Sequence, residues 1–236
     1  MPPKSPNDQT PKPPDMKRLS TVFVLVLLSL SFSLAQDRIR VACIGNSITY
    51  GHGIEDRDHD TYPAQLQTLL GNEFDVRNFG VSGTTAQKAG DFPWTTTNEY
   101  PKSVEFRPDI AVFKLGTNDS KPQNWVSVER FIHDLEALVC EYEARGSRVI
   151  IALPAKAYAV RWDINDNIIA QYELPALKKM AKKHHWQVID LYKVTSNKHE
   201  LFPDDIHPNE EGAGLIAKHV AKAVRKEAKK VRKNRR

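Results

Sequence analysis

Short apolar runs alternate along this chain with longer segments that have helical apolar spacing, and this alternation limits the fold more than any other feature. The apolar runs occupy residues 38–44, 74–79, 109–115, 147–153 and 187–191, and the helical segments occupy residues 62–70, 125–145, 165–183 and 208–230. Strands that alternate with helices form a parallel sheet with helices on both faces. We therefore predict one α/β domain. Pro175 lies inside the third helical segment, where it should kink or divide the helix.

The charge of the chain is concentrated at its C-terminal end. At 236 residues with 40% hydrophobic content, the chain can form one full-sized soluble domain. Residues 222–236 carry nine basic groups and one acidic group, whereas residues 36–221 carry 21 basic and 26 acidic groups. We therefore predict a domain over residues 36–224, followed by a basic tail over residues 225–236.

The N-terminal residues have the features of an export signal. A basic pair at positions 17–18 precedes an apolar run that ends in a small-residue cleavage site at Ala35. We predict a signal peptide over residues 16–35 and an exported protein, periplasmic or secreted, with no stable membrane anchor after cleavage. An uncleaved anchor is the alternative. Residues 1–15 are rich in proline and are either disordered or upstream of a true start at Met16.

Two cysteines follow the signal, Cys43 in a predicted strand and Cys140 in a predicted helix. We expect two buried thiols, with a disulfide as the alternative that export would permit. Neither cysteine has the spacing of a metal site, and the loop that contains His52 and His59 has the composition of a solvated loop. The sequence therefore predicts no metal and no cofactor.

Four polar turns follow apolar runs or precede a helix, at residues 45–49, 78–83, 116–119 and 204–208. Ser47 lies in the first turn, directly after the first predicted strand. Open α/β sheets place their chemistry at the carboxyl ends of the strands, so the four turns can converge on one edge of the sheet. Ser47 is then a candidate nucleophile, although its hydroxyl could instead cap a helix.

A serine hydroxyl needs a base to take its proton near pH 7. His207 is the candidate base, and Asp204 lies three residues earlier, a spacing at which a turn brings its carboxylate to the imidazole ring. There it would fix the tautomer and stabilise the charged ring. Asp205 competes for this role, and either carboxylate could instead cap a turn.

The tetrahedral intermediate of acyl transfer also needs hydrogen-bond donors for its oxyanion. The candidates are the backbone N–H groups of Ser47 and Gly80 and the side-chain amide of Asn118. Asn118 is otherwise typical of a turn residue after a glycine.

The four turns, in this order and spacing, resemble the four blocks of the SGNH (GDSL-type) hydrolase superfamily over residues 38–224. The resemblance implies a three-layer α/β/α fold with a five-stranded parallel sheet, similar to flavodoxin. The site residues that it implies are Ser47 as nucleophile, His207 as base, Asp204 as the residue that orients the base, and Gly80 with Asn118 as oxyanion donors.

The chain departs from the best-known form of the superfamily at Asn46, where that form has aspartate. Asparagine can make the same local turn bonds without the charge. Thr49 stands where the G-x-S-x-G elbow of the ordinary α/β-hydrolases has its second glycine, which disfavours that fold.

Within the superfamily the chain resembles bacterial carbohydrate and sialate O-acetylesterases. We therefore expect an exported serine esterase that removes short acyl groups, chiefly acetyl, through an acyl-enzyme on Ser47. Arg161 and Trp162 are candidate contacts for a substrate carboxylate and a sugar ring, or equally an ion-pair partner and a packing residue. Trp94 is a candidate pocket wall or lid anchor.

Two other functions fit the same sequence. A lysophospholipase or thioesterase on this fold would need an apolar acyl channel. A polyanion-binding protein would act through the basic tail. The alternative interpretation of the tail is a solvated helix end, whose positive charge interacts favourably with the helix dipole. We expect a small-molecule or glycan ester as the partner and no nucleic acid, and the sequence does not indicate an oligomeric state.

Overall fold

The structure is a computed structural model that describes residues 38–235, and the chain from Ile39 onward forms one compact unit. The predicted N-terminal segments, residues 1–15 and 16–35, lie outside the described residues. The signal peptide and export therefore remain predictions.

A parallel sheet of five strands forms the centre of the unit. The strands are β1 (Ile39–Gly45), β2 (Phe74–Gly80), β3 (Ile110–Lys114), β4 (Arg148–Ala152) and β5 (Gln187–Ile189). Every pair is parallel and the order is β2-β1-β3-β4-β5. This is the flavodoxin-like order, in which ligands bind beyond the carboxyl ends of the strands at the point between β1 and β3 where the order reverses.

Helices connect the strands. They are α1 (Ser47–Tyr50), α2 (Arg57–Asp60), α3 (Tyr62–Leu70), α4 (Glu99–Glu105), α5 (Val128–Ala144), α6 (Asp166–Ile168), α7 (Leu174–Lys183), α8 (Leu191–Thr195) and α9 (Glu210–Asn234). Short 3₁₀ turns occupy Trp94–Thr96 and His199–Leu201. Within residues 38–235, none of these helices is both long and apolar enough to cross a membrane.

Two apolar cores lie on the two faces of the sheet, as the alternation of side chains along β1 shows. Val41 and Cys43 point into the core that contains buried residues of α3 and α9. Ala42 and Ile44 point into the core that contains buried residues of α5 and α7. A strand buried on both faces is expected to be apolar throughout. The prediction of a three-layer α/β/α fold with a five-stranded parallel sheet is confirmed.

The two cysteines are free, and one faces each core. Cys43 is fully buried, and burial raises the pKa of its thiol to about 12. Cys140 is only half-buried, so the prediction of two buried thiols holds for Cys43 and not for Cys140.

The third helical segment divides as predicted. Between α6 and α7 the chain makes a π-helical turn over Ile169–Glu173, and Pro175 lies in the first turn of α7. Because proline has no N–H, the regular α-helical bonding is interrupted at this point. The π turn places Glu173 in the interior, where it is fully buried.

The last helix is longer than the sequence predicts. It continues to Asn234 rather than residue 230, so the predicted domain end at residue 224 is too early. Ala228 and Val231 lie in the core, which ties the predicted tail to the domain. The sequence did not predict this longer helix, because only two apolar residues, Ala228 and Val231, interrupt the basic tail. On the surface, Arg232 pairs with Glu73 at 2.7 Å.

Candidate active site

Ser47 lies at the carboxyl end of β1, as the first residue of α1. Asn46 caps this short helix, because its Oδ1 accepts the N–H of Ile48 at 3.4 Å. Gly45 allows the tight turn, since a Cβ there would lie 2.2 Å from Thr49 Oγ1. The turn exposes 7% of Ser47 at the edge of the sheet where the strand order reverses.

A row of hydrogen bonds joins Ser47, His207 and Asp204. The Oγ of Ser47 lies 2.8 Å from Nε2 of His207, and Nδ1 of His207 lies 2.8 Å from Oδ2 of Asp204. The other carboxylate oxygen of Asp204 accepts the backbone N–H groups of His207 at 2.6 Å and of Ile206 at 3.0 Å. The ring is therefore held with one nitrogen facing the serine and the other facing the carboxylate.

Asp205 points away from this row. Its carboxylate lies 2.7 Å from Nε2 of His199 and 3.9 Å from Nη1 of Arg161. The backbone of Asp205 has φ +71°, in the left-handed region, and this turns its side chain to the opposite side from that of Asp204. Of the two neighbouring carboxylates, only Asp204 contacts the ring of His207.

The surroundings favour a neutral imidazole next to an ionised carboxylate. Burial lowers the pKa of His207 below its usual value, although the hydrogen bond that its Nδ1–H donates to Asp204 acts in the opposite direction. Partial burial acts to raise the pKa of Asp204, but its hydrogen bonds from His207 and Ile206 lower it overall. At pH 7 His207 is therefore ready to accept a proton, and Asp204 to stabilise the resulting positive charge.

A cavity of about 190 Å³ opens above Ser47. Its lining residues are Ser47, His52, Ser82, Gly83, Asn118, Lys121, Trp162, Ile164 and His207. The amide nitrogen of Asn118 donates to the carbonyl of Thr84 at 3.0 Å, which orients the side chain and leaves its second hydrogen for the cavity. The structure thus brings Asn118 to Ser47 and His207 as predicted.

Gly80 does not reach the cavity, which corrects the predicted set of oxyanion donors. Its N–H donates to Oδ1 of Asn78 at 2.9 Å, so this donor is already engaged. A Cβ on Gly80 would lie 2.2 Å from the backbone nitrogen of Tyr50. The glycine is required because α1 packs directly on the end of β2.

Gly83 lies in the cavity instead, and the sequence interpretation missed it. Its φ of +84° belongs to the region that glycine adopts without strain. Within residues 38–235, no hydrogen bond engages the N–H of Gly83 or that of Ser47. The sequence contains a signal for this difference. Gly80 is the last residue of strand β2, whereas Gly83, the second glycine of the 78–83 turn, lies after the end of the strand.

Two aromatic side chains border the row, His52 and Trp162. The ring centre of His52 lies 4.3 Å from that of His207, and the ring centre of Trp162 lies 5.1 Å from it. Trp162 is 48% exposed, and both it and Asp163 have positive φ, of +49° and +62°. The predicted placement of Trp162 beside the site agrees with the structure, whereas His52 was not among the predicted substrate contacts.

Arg161 and Trp94 do not line the cavity. Arg161 is half-exposed, with Nη1 3.5 Å from the carbonyl of Asp204 and its guanidinium 5.4 Å from the ring centre of Trp162. Trp94 is completely buried, and its Nε1 donates to the carbonyl of Phe79 at 3.0 Å. A side chain with no exposed surface cannot touch a substrate, so the predicted role of Trp94 is corrected to packing.

Two groups of side chains within residues 38–235 have ligand atoms close enough to share a metal ion. One contains His52, Asp204 and His207, and the other contains Cys140, Glu143 and His184. The first group shares His207 and Asp204 with the hydrogen-bonded row, so a metal bound there would compete with the hydrogen bonds of that row. His59 belongs to neither group and pairs with Asp56 on the surface.

Comparison with known proteins gives matches over most of the described domain. A model of the GDSL-like Lipase/Acylhydrolase family matches residues 43–215. An acetylxylan esterase from Xylanibacter ruminicola is 39% identical in a match 210 residues long, which covers 80% of this chain and 44% of that protein. The chain therefore spans less than half the length of this relative.

Solved structures with the same fold include two esterases. The acetyl xylan esterase AlAXEase has a TM-score of 0.64 and 19% identity, over 79% of this chain and 100% of that one. Est24, a carbohydrate acetylesterase from Sinorhizobium meliloti, has a TM-score of 0.67 and 15% identity, over 79% of this chain and 98% of that one. At these identities the similarity concerns the fold.

Proposed function

Because this chain belongs to the GDSL-like lipase/acylhydrolase family, we propose that it is a serine esterase that removes acetyl groups from an acetylated carbohydrate. The observation that carries the proposal is the row of two 2.8 Å hydrogen bonds that joins Ser47, His207 and Asp204. A nucleophile, a base and a group that orients the base in this arrangement are what acyl transfer requires.

In the first half of the reaction, Ser47 Oγ attacks the carbonyl carbon of the ester while its proton passes to Nε2 of His207. The C–O bond to the sugar then breaks, and the protonated ring gives its proton to the leaving sugar hydroxyl. The product of this half is an acetyl group on Ser47. Asp204 accepts the Nδ1–H of His207 throughout and stabilises the charged ring.

In the second half, His207 takes a proton from a water molecule, whose oxygen attacks the acetyl carbonyl of the acyl-enzyme. The bond to Ser47 Oγ breaks, the serine regains its proton from the ring, and acetic acid leaves, which ionises to acetate and a proton in water. Each half passes through an intermediate with negative charge on the carbonyl oxygen. The donors for this charge are the N–H groups of Ser47 and Gly83 and the amide of Asn118.

The size of the cavity supports a short acyl group. Its volume of about 190 Å³ lies below the range of about 300–1,000 Å³ in which drug-sized ligands bind. The lysophospholipase or thioesterase alternative would need room for a long acyl chain. We therefore favour acetyl over longer acyl groups.

The carbohydrate half of the substrate rests on the relatives and on Trp162. An acetylxylan esterase relative and a carbohydrate acetylesterase of the same fold support such a substrate. The half-exposed ring of Trp162 beside His207 is suited to stacking on a sugar. Arg161 lies next to Trp162 and would pair with a carboxylate if the sugar is a sialate or uronate.

The test is hydrolysis of p-nitrophenyl esters from acetyl to decanoyl, by the whole chain and by Ser47→Ala. The proposal predicts a maximum at acetyl and loss of hydrolysis in the variant. Release of acetate from acetylated xylan and from O-acetylsialate then separates neutral from acidic sugars. A maximum at long chains would favour the lipid alternative, and equal rates in both proteins would refute the role of Ser47. Export is tested separately by the mature N-terminus of protein recovered outside the cytoplasm.

We also propose a second, independent function, binding of an acidic polysaccharide along α9. Five exposed lysines share one face of this helix, at positions 218, 222, 226, 229 and 233. Within residues 38–235 none of the five forms an ion pair, whereas Lys230 and Arg232 on the flanks pair with Glu227 and Glu73. Lys222 and Lys226 also line a cavity of about 690 Å³ beside β5. An unpaired row of positive charge favours a polyanion.

Retention on heparin tests this second function. The triple variant with glutamine at Lys222, Lys226 and Lys229 should elute at clearly lower salt, and a double variant with glutamine at Lys230 and Arg232 should elute closer to the wild type. Equal elution of the triple variant and the wild type would refute the proposal. Stronger retention on DNA than on heparin would contradict the prediction that nucleic acid is not a partner.

A further inference from the structure

Lys114 is the last residue of β3 and is completely buried next to the active site. Lysine is almost never fully buried unless its charge is paired, because an ammonium group is costly to remove from water. Within residues 38–235, Lys114 nevertheless forms no ion pair. The mechanism proposed above does not use this residue, so its burial has no explanation in those steps.

The hydrogen bonds of Lys114 lead to the turn that presents the nucleophile. Its Nζ donates to Oδ1 of Asn46 at 3.2 Å and to Oγ1 of Thr117 at 3.1 Å. The same oxygen of Asn46 accepts the N–H of Ile48 and thereby caps α1. Lys114 is thus one bond from the residue that fixes the start of the helix on which Ser47 lies.

Two buried carboxyl groups face the same region but do not bind the ammonium. Glu173 is fully buried in the π turn, and within the described residues neither of its oxygens has a hydrogen-bond partner. Asp119 accepts the backbone N–H groups of Ala86 and Gln87 instead. Burial lowers the pKa of Lys114 to about 7, with Glu173 acting in the opposite direction, and burial raises the pKa of Glu173.

We propose that Lys114 is a positioning residue for this hydrolase, which fixes the Ser47 turn through its hydrogen bonds to Asn46 and Thr117. This inference rests on the proposed esterase function. The position of Asn46 explains how an uncharged residue serves where the best-known SGNH enzymes have aspartate. The amide oxygen caps α1 and accepts from the lysine at the same time.

The charge of Lys114 also acts on His207. Burial is the main cause of the lowered pKa of that ring, Asp204 raises the pKa, and His52 and Lys114 lower it further. Removal of the lysine charge should therefore raise the pKa of His207, and this shift can be measured without any substrate.

The test compares Lys114→Met with Ser147→Ala, a control at the opposite edge of the sheet. The hydroxyl of Ser147 is buried and donates to the carbonyl of Pro108 at 2.6 Å. Lys114→Met removes hydrogen bonds donated by a charged group, and such bonds contribute more free energy than neutral ones. The variant should therefore lower kcat about 10- to 100-fold, with KM changed less than about threefold. Its Tm should stay the same or rise, because an apolar side chain replaces a buried charge.

The control should show the reverse pattern, with a lower Tm and an unchanged kcat. A purely structural role for Lys114 predicts that kcat falls only as far as Tm falls. Unchanged kcat in Lys114→Met would overturn the inference, and so would a loss of kcat that follows the loss of folded protein.

A double-mutant cycle with Asn46→Ala shows whether the effect passes through Asn46. If it does, Lys114→Met should cost little further kcat once Asn46 is alanine. Losses that multiply would refute this route. Should Lys114→Met not fold, Thr117→Val decides the matter, since it removes one of the two acceptors and preserves the shape. It should lower kcat about 3- to 10-fold, and no loss would overturn the inference.

An NMR titration of the His207 ring separates this inference from the proposed function. The midpoint should rise in Lys114→Met and stay unchanged in Ser147→Ala. If Ser47→Ala retained full esterase activity, the proposed function would fail while the titration still tested the coupling between Lys114 and His207. If esterase activity depends on Ser47 but neither kcat nor the midpoint responds to Lys114→Met, only the inference fails.

Discussion

Replacement of Asp204 by asparagine tests the tautomer on which the proposed mechanism depends. In the wild type, Oδ2 of Asp204 accepts the Nδ1–H of His207 at 2.8 Å, and Oδ1 accepts two backbone N–H groups. In Asp204→Asn the amide oxygen can keep the two backbone bonds, so the turn should retain its shape. The amide nitrogen then faces Nδ1 of His207 and can only donate.

The ring must respond by losing its proton from Nδ1 and carrying it on Nε2, the atom that faces Ser47. Nε2 can then no longer accept the serine proton. A wrong tautomer in a serine–histidine–aspartate triad costs about 10⁴ in kcat, which is about 5 kcal/mol of transition-state stabilisation. We therefore expect a loss of about 10³- to 10⁴-fold in kcat for p-nitrophenyl acetate, with a Tm within about 3 °C of the wild type.

Asp205→Asn is the matched control, because it is the same change one residue away. Its carboxylate contacts His199 and Arg161, so kcat should fall less than about threefold. Stopped-flow and steady-state rates at several pH values measure both variants. Equal loss of activity in the two variants, or more than a tenth of the wild-type kcat in Asp204→Asn, would show that Asp204 does not fix the tautomer of His207.

Three further results are expected. Asn118→Ala should lower kcat about 10²- to 10³-fold, because it removes one oxyanion donor, and steady-state kinetics that show KM alone changing would contradict this role. The acid limb of kcat/KM should have its midpoint below the usual histidine value of about 6.5, since burial lowers the pKa of His207 and the ring stays neutral to lower pH. A midpoint above 6.5 would contradict that sign. Deletion of residues 225–236 should lower Tm by more than about 4 °C in a calorimetric scan, because Ala228 and Val231 leave the core, and an unchanged Tm would mean that this part of α9 does not pack.

The order of strands and helices was predictable because buried parallel strands are apolar along their whole length. The runs at residues 38–44 and 109–115 correspond closely to β1 and β3, since both strands face a core on each side. The catalytic candidates were predictable for a related reason. Each one follows a strand or precedes a helix, and such positions meet at one edge of a parallel sheet.

The choice between neighbouring residues was not predictable, because it depends on backbone angles. Asp204 and Asp205 are chemically the same, and only the left-handed φ of Asp205 separates their directions. Gly80 and Gly83 belong to one motif, and only the hydrogen bond of Asn78 shows that the N–H of Gly80 is engaged. In both cases the deciding atom belongs to the main chain.

Burial within polar segments was the other weak point. Trp94 lies in a stretch rich in threonine and proline, yet it is fully buried and its Nε1 donates to the carbonyl of Phe79 near the end of β2. The apolar neighbours of Lys114 in the sequence predict a strand. They do not predict that the lysine at the end of this strand is itself buried. Contacts of this kind are made by residues distant in sequence.

The site at which a reactive acyl mimic attaches shows directly whether Ser47 is the nucleophile. The whole chain is incubated with a p-nitrophenyl phosphonate, and the modified residue is located by mass spectrometry of its peptides. We expect one adduct on Ser47, slower labelling in His207→Ala and no labelling in Ser47→Ala. An adduct on another residue, or equal labelling of the wild type and Ser47→Ala, would contradict the claim that Ser47 is the nucleophile.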